Sequence, residues 1–288
     1  RVPVLFAPAM NTAMYEHPAV QEIITTIKRR GCLFVEPASG HLACGDTGKG
    51  KLADVEKIEQ AILDALTEKD MQGMHVTVTA GPTREAMDPV RFLSNHSTGK
   101  MGYAIARSAK MRGAEVTLIS GPVALEPLDG VRMIPVTSAC DMREAVMQAL
   151  PQSDLVIKAA AVGDYRPATF QDDKIKKHDD DMSVSLVRNP DILAEIGEKR
   201  RDDQVICGFS METRDLLENS TKKLQKKNCD VIVANNLKVK GAGFAGDTNV
   251  VTLLYRNGKV EPLELMEKDS VADILLERLV ALYRDKNA

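Results

Sequence analysis

The stretch that most restricts the fold runs from residue 74 to residue 122, MHVTVTAGPTREAMDPVRFLSNHSTGKMGYAIARSAKMRGAEVTLISGP. It opens with His75-Val-Thr-Val-Thr79, a β-branched run that reads as a buried strand. Gly81 and Pro82 break that strand, a loop follows, and Ser97-Thr-Gly-Lys-Met-Gly102 leads into an alanine-rich helix expected over residues 103–111. Gly113 stops the helix, and residues 115–120 form the next strand. Strand, glycine turn, helix and strand in this order predict a parallel α/β sheet. They also place backbone N–H groups and a helix N-terminus, as at Ser97 and Gly99, beside a bound phosphate.

Two details separate this unit from a dinucleotide-binding one. The fingerprint needs three glycines inside the first tight turn, whereas Gly81 stands alone and the others follow a loop. A dehydrogenase also needs an acidic residue at the end of the second strand to hold the ribose, and here the chain reads Ser120-Gly121-Pro122. A Rossmann-type NAD(P)-dependent oxidoreductase stays open as an alternative, as does a nucleotide-sensing module without catalysis.

At 288 residues the chain can hold two domains, and the polar segment 67–73 divides it into 1–72 and 73–288. A net charge of -3 without a basic block argues against a nucleic-acid partner. No apolar run approaches the ~18 residues that cross a membrane. The five cysteines are scattered and form no C-x-x-C pair, which suits reduced thiols in cytoplasm. Arg1 leads at once into Val-Pro-Val-Leu-Phe-Ala, so the chain is expected to begin inside a domain.

In the first part, residues 2–7 read as a strand, 8–14 as a loop, and a helix follows His17-Pro18 to about Arg30. Residues 32–35 form a second strand, 37–51 a glycine-rich loop, and 54–66 a helix. Within that loop Gly45-Asp-Thr-Gly-Lys-Gly-Lys51-Leu52 matches a P-loop until its last position. Leu52 cannot ligate magnesium as Ser or Thr would, and no strand runs into the loop. His41 and Cys44 could begin a metal site, but no second pair lies nearby.

In the second part, residues 134–136 form an edge strand and Thr137-Ser138 opens a helix. Residues 154–162 are almost wholly apolar, as a central parallel strand should be, and Asp164 follows at the end where open α/β sheets bind ligands. Asp164 is therefore a candidate metal or hydroxyl contact, against a plain turn aspartate. Lys174-Ile-Lys-Lys177 lies among aspartates and reads either as a solvated face or as a hairpin presenting a lysine to phosphate. Asn189-Pro190-Asp191 caps a helix that starts at Ile192, and residues 205–210 and 230–235 are buried strands. Between them Lys223 and Lys227 stand at i, i+4 on one helix face. A mobile loop at 241–246, a hairpin about Asn257-Gly258 and a helix over 270–284 complete the chain.

Read together, these residues resemble the bacterial bifunctional phosphopantothenoylcysteine decarboxylase / phosphopantothenate–cysteine ligase of coenzyme A biosynthesis. The resemblance covers the whole chain. It rests on Ala80-Gly-Pro-Thr-Arg-Glu85, Arg91-Phe-Leu-Ser-Asn95-His-Ser-Thr-Gly-Lys-Met-Gly102, Ala159-Ala-Ala-Val-Gly-Asp164-Tyr165, Lys174-Ile-Lys-Lys177 and Asn189-Pro-Asp-Ile192. Pro8-Ala-Met-Asn11 and Ala43-Cys44-Gly-Asp46 are similar to the substrate-binding motif and clamp loop of the flavin half.

The resemblance implies a Rossmann-like ligase domain with helices on both faces of a mostly parallel sheet. The C-terminal part of a flavodoxin-like flavoprotein domain precedes it. It also implies CTP and Mg2+ for the ligase, 4'-phosphopantothenate and L-cysteine as substrates, and a homodimer of ligase domains within a larger homo-oligomer. By this resemblance Asn95 holds an acyl-cytidylate with Arg91 close by, Lys174 neutralises phosphate charge, and Asp164 contacts the nucleotide and its metal. Pro190, Asp191, Ile192 and Leu193 read the cytosine, and Phe209, Lys223 and Lys227 line the rest of that pocket. In the flavin half, FMN drives decarboxylation, Cys44 matches the protonating cysteine, and Asn11 a substrate-carboxylate contact. The family's flavin domain has a longer N-terminal portion with much of the flavin site and a catalytic histidine, and His17 and His41 do not stand in that motif. The chain as given is therefore expected to bind FMN poorly and not to decarboxylate, while the intact protein does both reactions.

Overall fold

Runs of β-branched and aliphatic residues with no polar alternation can be buried only between two layers of helix, and the computed structural model builds that sandwich. It describes residues 2–42, 45–176, 182–212, 216–236 and 246–288. The chain divides into two compact units, Arg1–Lys69 and Asp70–Ala288.

The first unit pairs Leu5–Phe6 with Leu33–Phe34 in parallel, with the helix Pro18–Arg29 between them in the chain. His17 caps that helix, its Nδ1 accepting from the Ala19 N–H at 3.2 Å. Two expectations fail here. Part of the loop expected over 8–14 is a short helix, Thr12–Glu16, capped by Asn11. The glycine loop is an antiparallel hairpin, Ala38–His41 with Thr47–Lys51. The glycines serve close approach rather than looseness. A methyl group on Gly50 (φ 150°) would lie 2.2 Å from the Met10 carbonyl oxygen. The P-loop look-alike thus lies largely on a strand, and no helix begins at its last lysine.

In the second unit the elements run β1 (His75–Ala80), β2 (Arg84–Ala86), β3 (Phe92–Ser94), α1 (Lys100–Met111), β4 (Glu115–Ser120), β5 (Arg132–Pro135) and α2 (Ala139–Ala149). They continue as β6 (Leu155–Lys158), β7 (Tyr165–Pro167), β8 (Leu186–Arg188), α3 (Ile192–Lys199), β9 (Val205–Glu212), α4 (Leu216–Lys226), β10 (Val231–Asn236), β11 (Val251–Tyr255), β12 (Val260–Pro262) and α5 (Lys268–Lys286). Eight strands form one sheet in the order β12-β11-β10-β9-β6-β1-β4-β5. The strands from β10 to β5 are parallel, and β11 and β12 add an antiparallel edge. Alternate residues feed the two faces. Leu155 and Ile157 pack with Ile105, Leu275 and Leu279 of α1 and α5. Val156 packs on the other side with Met142, Ile192 and Ile196 of α2 and α3.

Segment 67–73, read as a polar linker, contributes to this unit's core: Met71 is fully buried and Asp70 pairs with Arg112 at 2.5 Å. The strand expected over 154–162 ends at Lys158. Beyond it the chain turns to bridge β1, with the Ala161 N–H donating to the Gly81 carbonyl at 2.9 Å. The loop after β1 contains the hairpin β2–β3. Its turn is set by Asp88, whose Oδ1 accepts from the Val90 and Arg91 N–H groups at 2.8 Å. Residues 241–245 of the expected mobile loop lie outside the described residues. No helix among the described residues is long and apolar enough to cross a membrane.

Candidate functional site

The strand order reverses at β1. The chain passes from β1 outward to β4 and β5, then returns to β6 on the other side. The connections after β1 and β6 therefore leave the sheet in opposite directions, and the crevice between them is where open α/β sheets take ligands. A cavity of about 360 Å³ opens there, lined by Asn95, Ser97, Gly99 and Lys100 after β1 and by Lys158 and Asp164 at the end of β6. A second, of about 430 Å³, is lined by Pro190, Asp191, Ile192, Leu193 and Lys227. Lys158, Val162, Asp164, Phe209 and Lys223 line both, so the two are parts of one cleft.

Local chemistry explains why these residues converge. Asn95 leaves β3 and its amide Nδ2 donates to the Ala161 carbonyl at 2.8 Å, tying the two divergent connections together. Gly99 is the N-cap of α1 in the left-handed region (φ 80°) and carries no side chain to cap it, so the helix opens on the cleft through backbone alone. Gly102 lets the helix sit against β1: a methyl group there would lie 2.6 Å from the Ala80 Cβ.

On the other side of the cleft, Asn189 anchors the cap of α3. Its Nδ2 donates to the Gly163 carbonyl at 2.8 Å, and its N–H to the Asp164 carbonyl at 2.9 Å. Asp191 accepts from the Ala194 N–H at 3.1 Å and pairs with Lys227. Ile192 and Leu193 are buried beneath it. Lys223 Nζ donates to the Phe209 carbonyl at 3.3 Å. The described lining residues thus include Lys100, Lys158, Lys223, Lys227, Lys268 and Arg188 against only Asp164 and Asp191. In a chain of net charge -3 this local excess of cations fits a polyanionic ligand. Burial, and then the charge of Lys223, push the Lys158 ammonium down to about 8.

Not every expected residue comes to this cleft. Lys174 is exposed and lines a separate cavity of about 510 Å³ with Met87, Pro167 and Lys176. Arg91 is held on Asp88, its Nε donating to Oδ2 at 2.9 Å, and its Nη2 donates to the Ile175 carbonyl at 2.9 Å. The Ile175 N–H returns to Asp88 at 3.2 Å, so this pair braces the segment bearing Lys174 rather than lining the cleft. The Arg91 guanidinium holds the buried Asp88 carboxyl well below the usual carboxylate range. In the first unit Asn11 Nδ2 donates to Asp46 at 2.9 Å and its Oδ1 accepts from the Ala13 N–H. Cys44 and Lys177 lie outside the described residues.

The cleft also contains residues that were not expected from sequence. Lys158 carried a signal, being a charged residue within the apolar run that follows Asp154 in a central strand. Asn235 is the penultimate residue of β10, while Asn249 and Lys268 arrive through the small antiparallel pair Thr248–Asn249 and Met266–Glu267. Two-residue strands leave no periodicity to read.

Residues 71–283 match the protein family described as "DNA/pantothenate metabolism flavoprotein C-terminal domain", and residues 1–67 match "Flavoprotein". The chain is 49% identical over 286 residues to "Coenzyme A biosynthesis bifunctional protein CoaBC" of Bacillus subtilis (strain 168), covering 98% of this chain and 70% of that protein. It is 42% identical over 288 residues to a "Cysteine/Cysteine sulfinic acid decarboxylase" of an unknown prokaryotic organism, covering 98% and 80%. Among solved structures, the crystal structure of the C-terminal domain of a CoaBC protein is similar with a TM-score of 0.66 and 43% identity, over 76% of this chain and all of that one. The two family matches and the similarity to such a protein over 98% of this chain converge on one assignment: the chain belongs to the family of bifunctional coenzyme A biosynthesis proteins.

Proposed function

We propose that the second unit ligates L-cysteine to 4'-phosphopantothenate, with CTP giving pyrophosphate and CMP. The single observation behind this reading is the cation-lined cleft at the strand reversal, where Asn95 and Asp164 meet the pocket of Pro190, Asp191, Ile192 and Leu193. A carboxylate is a poor electrophile because oxide is a poor leaving group. Its oxygen first attacks the α-phosphorus of CTP, and the bond to the β-phosphate breaks as pyrophosphate departs with the electron pair. The cysteine amine then attacks the acyl carbon, loses a proton, and CMP leaves. The nucleoside lies against residues 190–193 and Phe209, with Lys223 and Lys227 on its phosphate side. Lys158 offsets the charge that gathers on phosphorus, and Asn95 holds the acyl group through its amide.

Asp164 fits a magnesium ion, which takes one or two carboxylates and fills its remaining positions from phosphates and water. Among the described residues no three His, Cys, Asp or Glu side chains converge. Bound there, the ion would offset phosphate charge. FMN-dependent decarboxylation belongs, in this reading, to the intact protein and its flavoprotein part. The Asn11 amide already donates one hydrogen bond to Asp46.

Lys174 completes the ligase site from a second copy of the chain. Val90, Phe92, Leu93, Tyr165, Leu186 and Val187 leave an apolar face exposed on the hairpins that carry Asn95 and follow Asp164. A homodimer of ligase domains within a larger homo-oligomer covers that face and brings the partner's lysine to the cleft.

Pyrophosphate release tests the function. Release should require both CTP and the acid, proceed to about one equivalent without cysteine, and turn over with it. Asn95→Ala should slow cysteine-dependent turnover by roughly 100-fold, the scale of one lost transition-state contact. Cysteine-dependent carbon dioxide release without pyrophosphate would favour the decarboxylase reading that one relative's name carries.

A further inference from the structure

Asp88 binds more than its own turn requires. Its side chain is wholly buried in the turn between β2 and β3. One oxygen, Oδ1, closes that turn through the Val90 and Arg91 N–H groups. The other, Oδ2, accepts from Arg91 Nε at 2.9 Å and from the Ile175 N–H at 3.2 Å. A turn needs only the first of these oxygens. The second ties the hairpin to a segment 87 residues along the chain.

That segment is fixed on both sides of Lys174. Arg91 Nη2 donates to the Ile175 carbonyl at 2.9 Å, so both backbone polar groups of Ile175 end on the Asp88–Arg91 pair. Earlier in the chain, the Gln171 N–H donates to the Met87 carbonyl at 3.0 Å. Residues 172–174 therefore leave the turn and come back to it, with Lys174 next to the second anchor. Lys174 is exposed, whereas Ile175 is half-buried. Residues 171–176 belong to no helix or strand, so these few bonds orient their backbone in place of a ladder. A lysine side chain has many rotamers, and fixing the backbone that bears it narrows the volume its ammonium samples.

We propose that Asp88 is a positioning residue for the ligase: through Oδ2 it holds the backbone at Ile175 and so sets where the Lys174 ammonium meets the phosphates. The proposal rests on the ligase reading above and on Lys174 acting in it, within its own subunit or across a dimer. A carboxylate that served the hairpin alone would act through Asn95, just beyond β3, and not through Lys174.

Steady-state pyrophosphate release by the full chain separates the two roles. Asp88→Asn keeps an oxygen for the turn and removes the charge that holds the segment. It should lower kcat by roughly 10 to 100-fold, the scale of a misplaced reacting group, with the KM for cysteine within about threefold. Added to Lys174→Ala, the same substitution should change kcat by less than about twofold, because the group it positions is already gone. Ile175→Pro deletes the anchoring N–H and leaves the Asp88–Arg91 pair, so it carries the test should the buried substitution fail to fold. It should match Asp88→Asn in both backgrounds. An equal loss in both backgrounds, or an Ile175→Pro chain with unchanged kcat, overturns the proposal. Lys174→Ala with unchanged kcat overturns it as well, by taking that lysine out of the reaction. An unsubstituted chain that releases no pyrophosphate refutes the ligase reading instead. Trypsin then decides the anchor by itself: cleavage after Lys174 or Lys176 should rise about tenfold in Asp88→Asn, and an unchanged rate refutes the anchor too.

Discussion

Lys158 shows how one side chain can link burial, charge and pH. Its ammonium is pushed from 10.5 to about 8 by burial, then by Lys223; Lys227 adds to this, while Asp164 and Cys229 oppose it. Between pH 8 and 10.5 the unfolded chain therefore holds one more proton than the folded one, and this residue's contribution to stability rises with pH across that window. Binding runs the other way, because a triphosphate needs the charged form. The kcat/KM for CTP should fall above about pH 8, by roughly tenfold per unit. Lys158→Met should remove that inflection and lower kcat/KM at pH 7 by ~10 to 100-fold. A flat profile in the unsubstituted chain would contradict the assignment of Lys158 to phosphate.

At the level of elements, the contact of α1 with β1 positions the phosphate-facing N-terminus. Gly102→Ala would place a methyl group 2.6 Å from the Ala80 Cβ and 3.0 Å from the Thr79 carbonyl oxygen, so the helix must lift. We expect a loss of about 1–3 kcal/mol and a Tm lower by roughly 3–10 °C, with weakened CTP binding. An unchanged Tm by calorimetry would mean that the contact yields without cost. The elements read correctly from sequence are those with long, one-sided chemistry. The β-branched run at residues 75–79, the capped helix after Asn189 and the continuously buried strands at 205 and 231 each announce themselves. Short elements set by a single contact do not. The hairpin β2–β3 hangs on the two Asp88 bonds, and the strand Thr47–Lys51 on glycines needed to approach Met10 and Thr12. The site divides in the same way. Asp164 could be placed by its position beyond a central strand, Asn95, Phe209, Lys223 and Lys227 only through the family resemblance, whereas Asn249 and Lys268 depend on a two-residue strand pair.

In the whole molecule, Lys174 lines a cavity apart from the cleft, and the proposed reading has it act from a second subunit. Mixing two inactive variants tests this directly. Asn95→Ala and Lys174→Ala, co-refolded or co-expressed, should recover about a quarter of the unsubstituted activity, because half of the random dimers carry one intact site of two. No recovery, with dimers shown by light scattering, would place Lys174 in its own subunit's chemistry. The central claim is that acid and nucleotide meet in one cleft and become joined through the carboxylate oxygen. Turnover of 4'-phosphopantothenate labelled with ¹⁸O in its carboxylate measures this most directly, by mass spectrometry of the released nucleotide. One labelled oxygen should appear in the phosphate of CMP. Label in pyrophosphate or inorganic phosphate, or none transferred, would contradict an acyl-cytidylate formed in the cleft of Asn95 and Asp164.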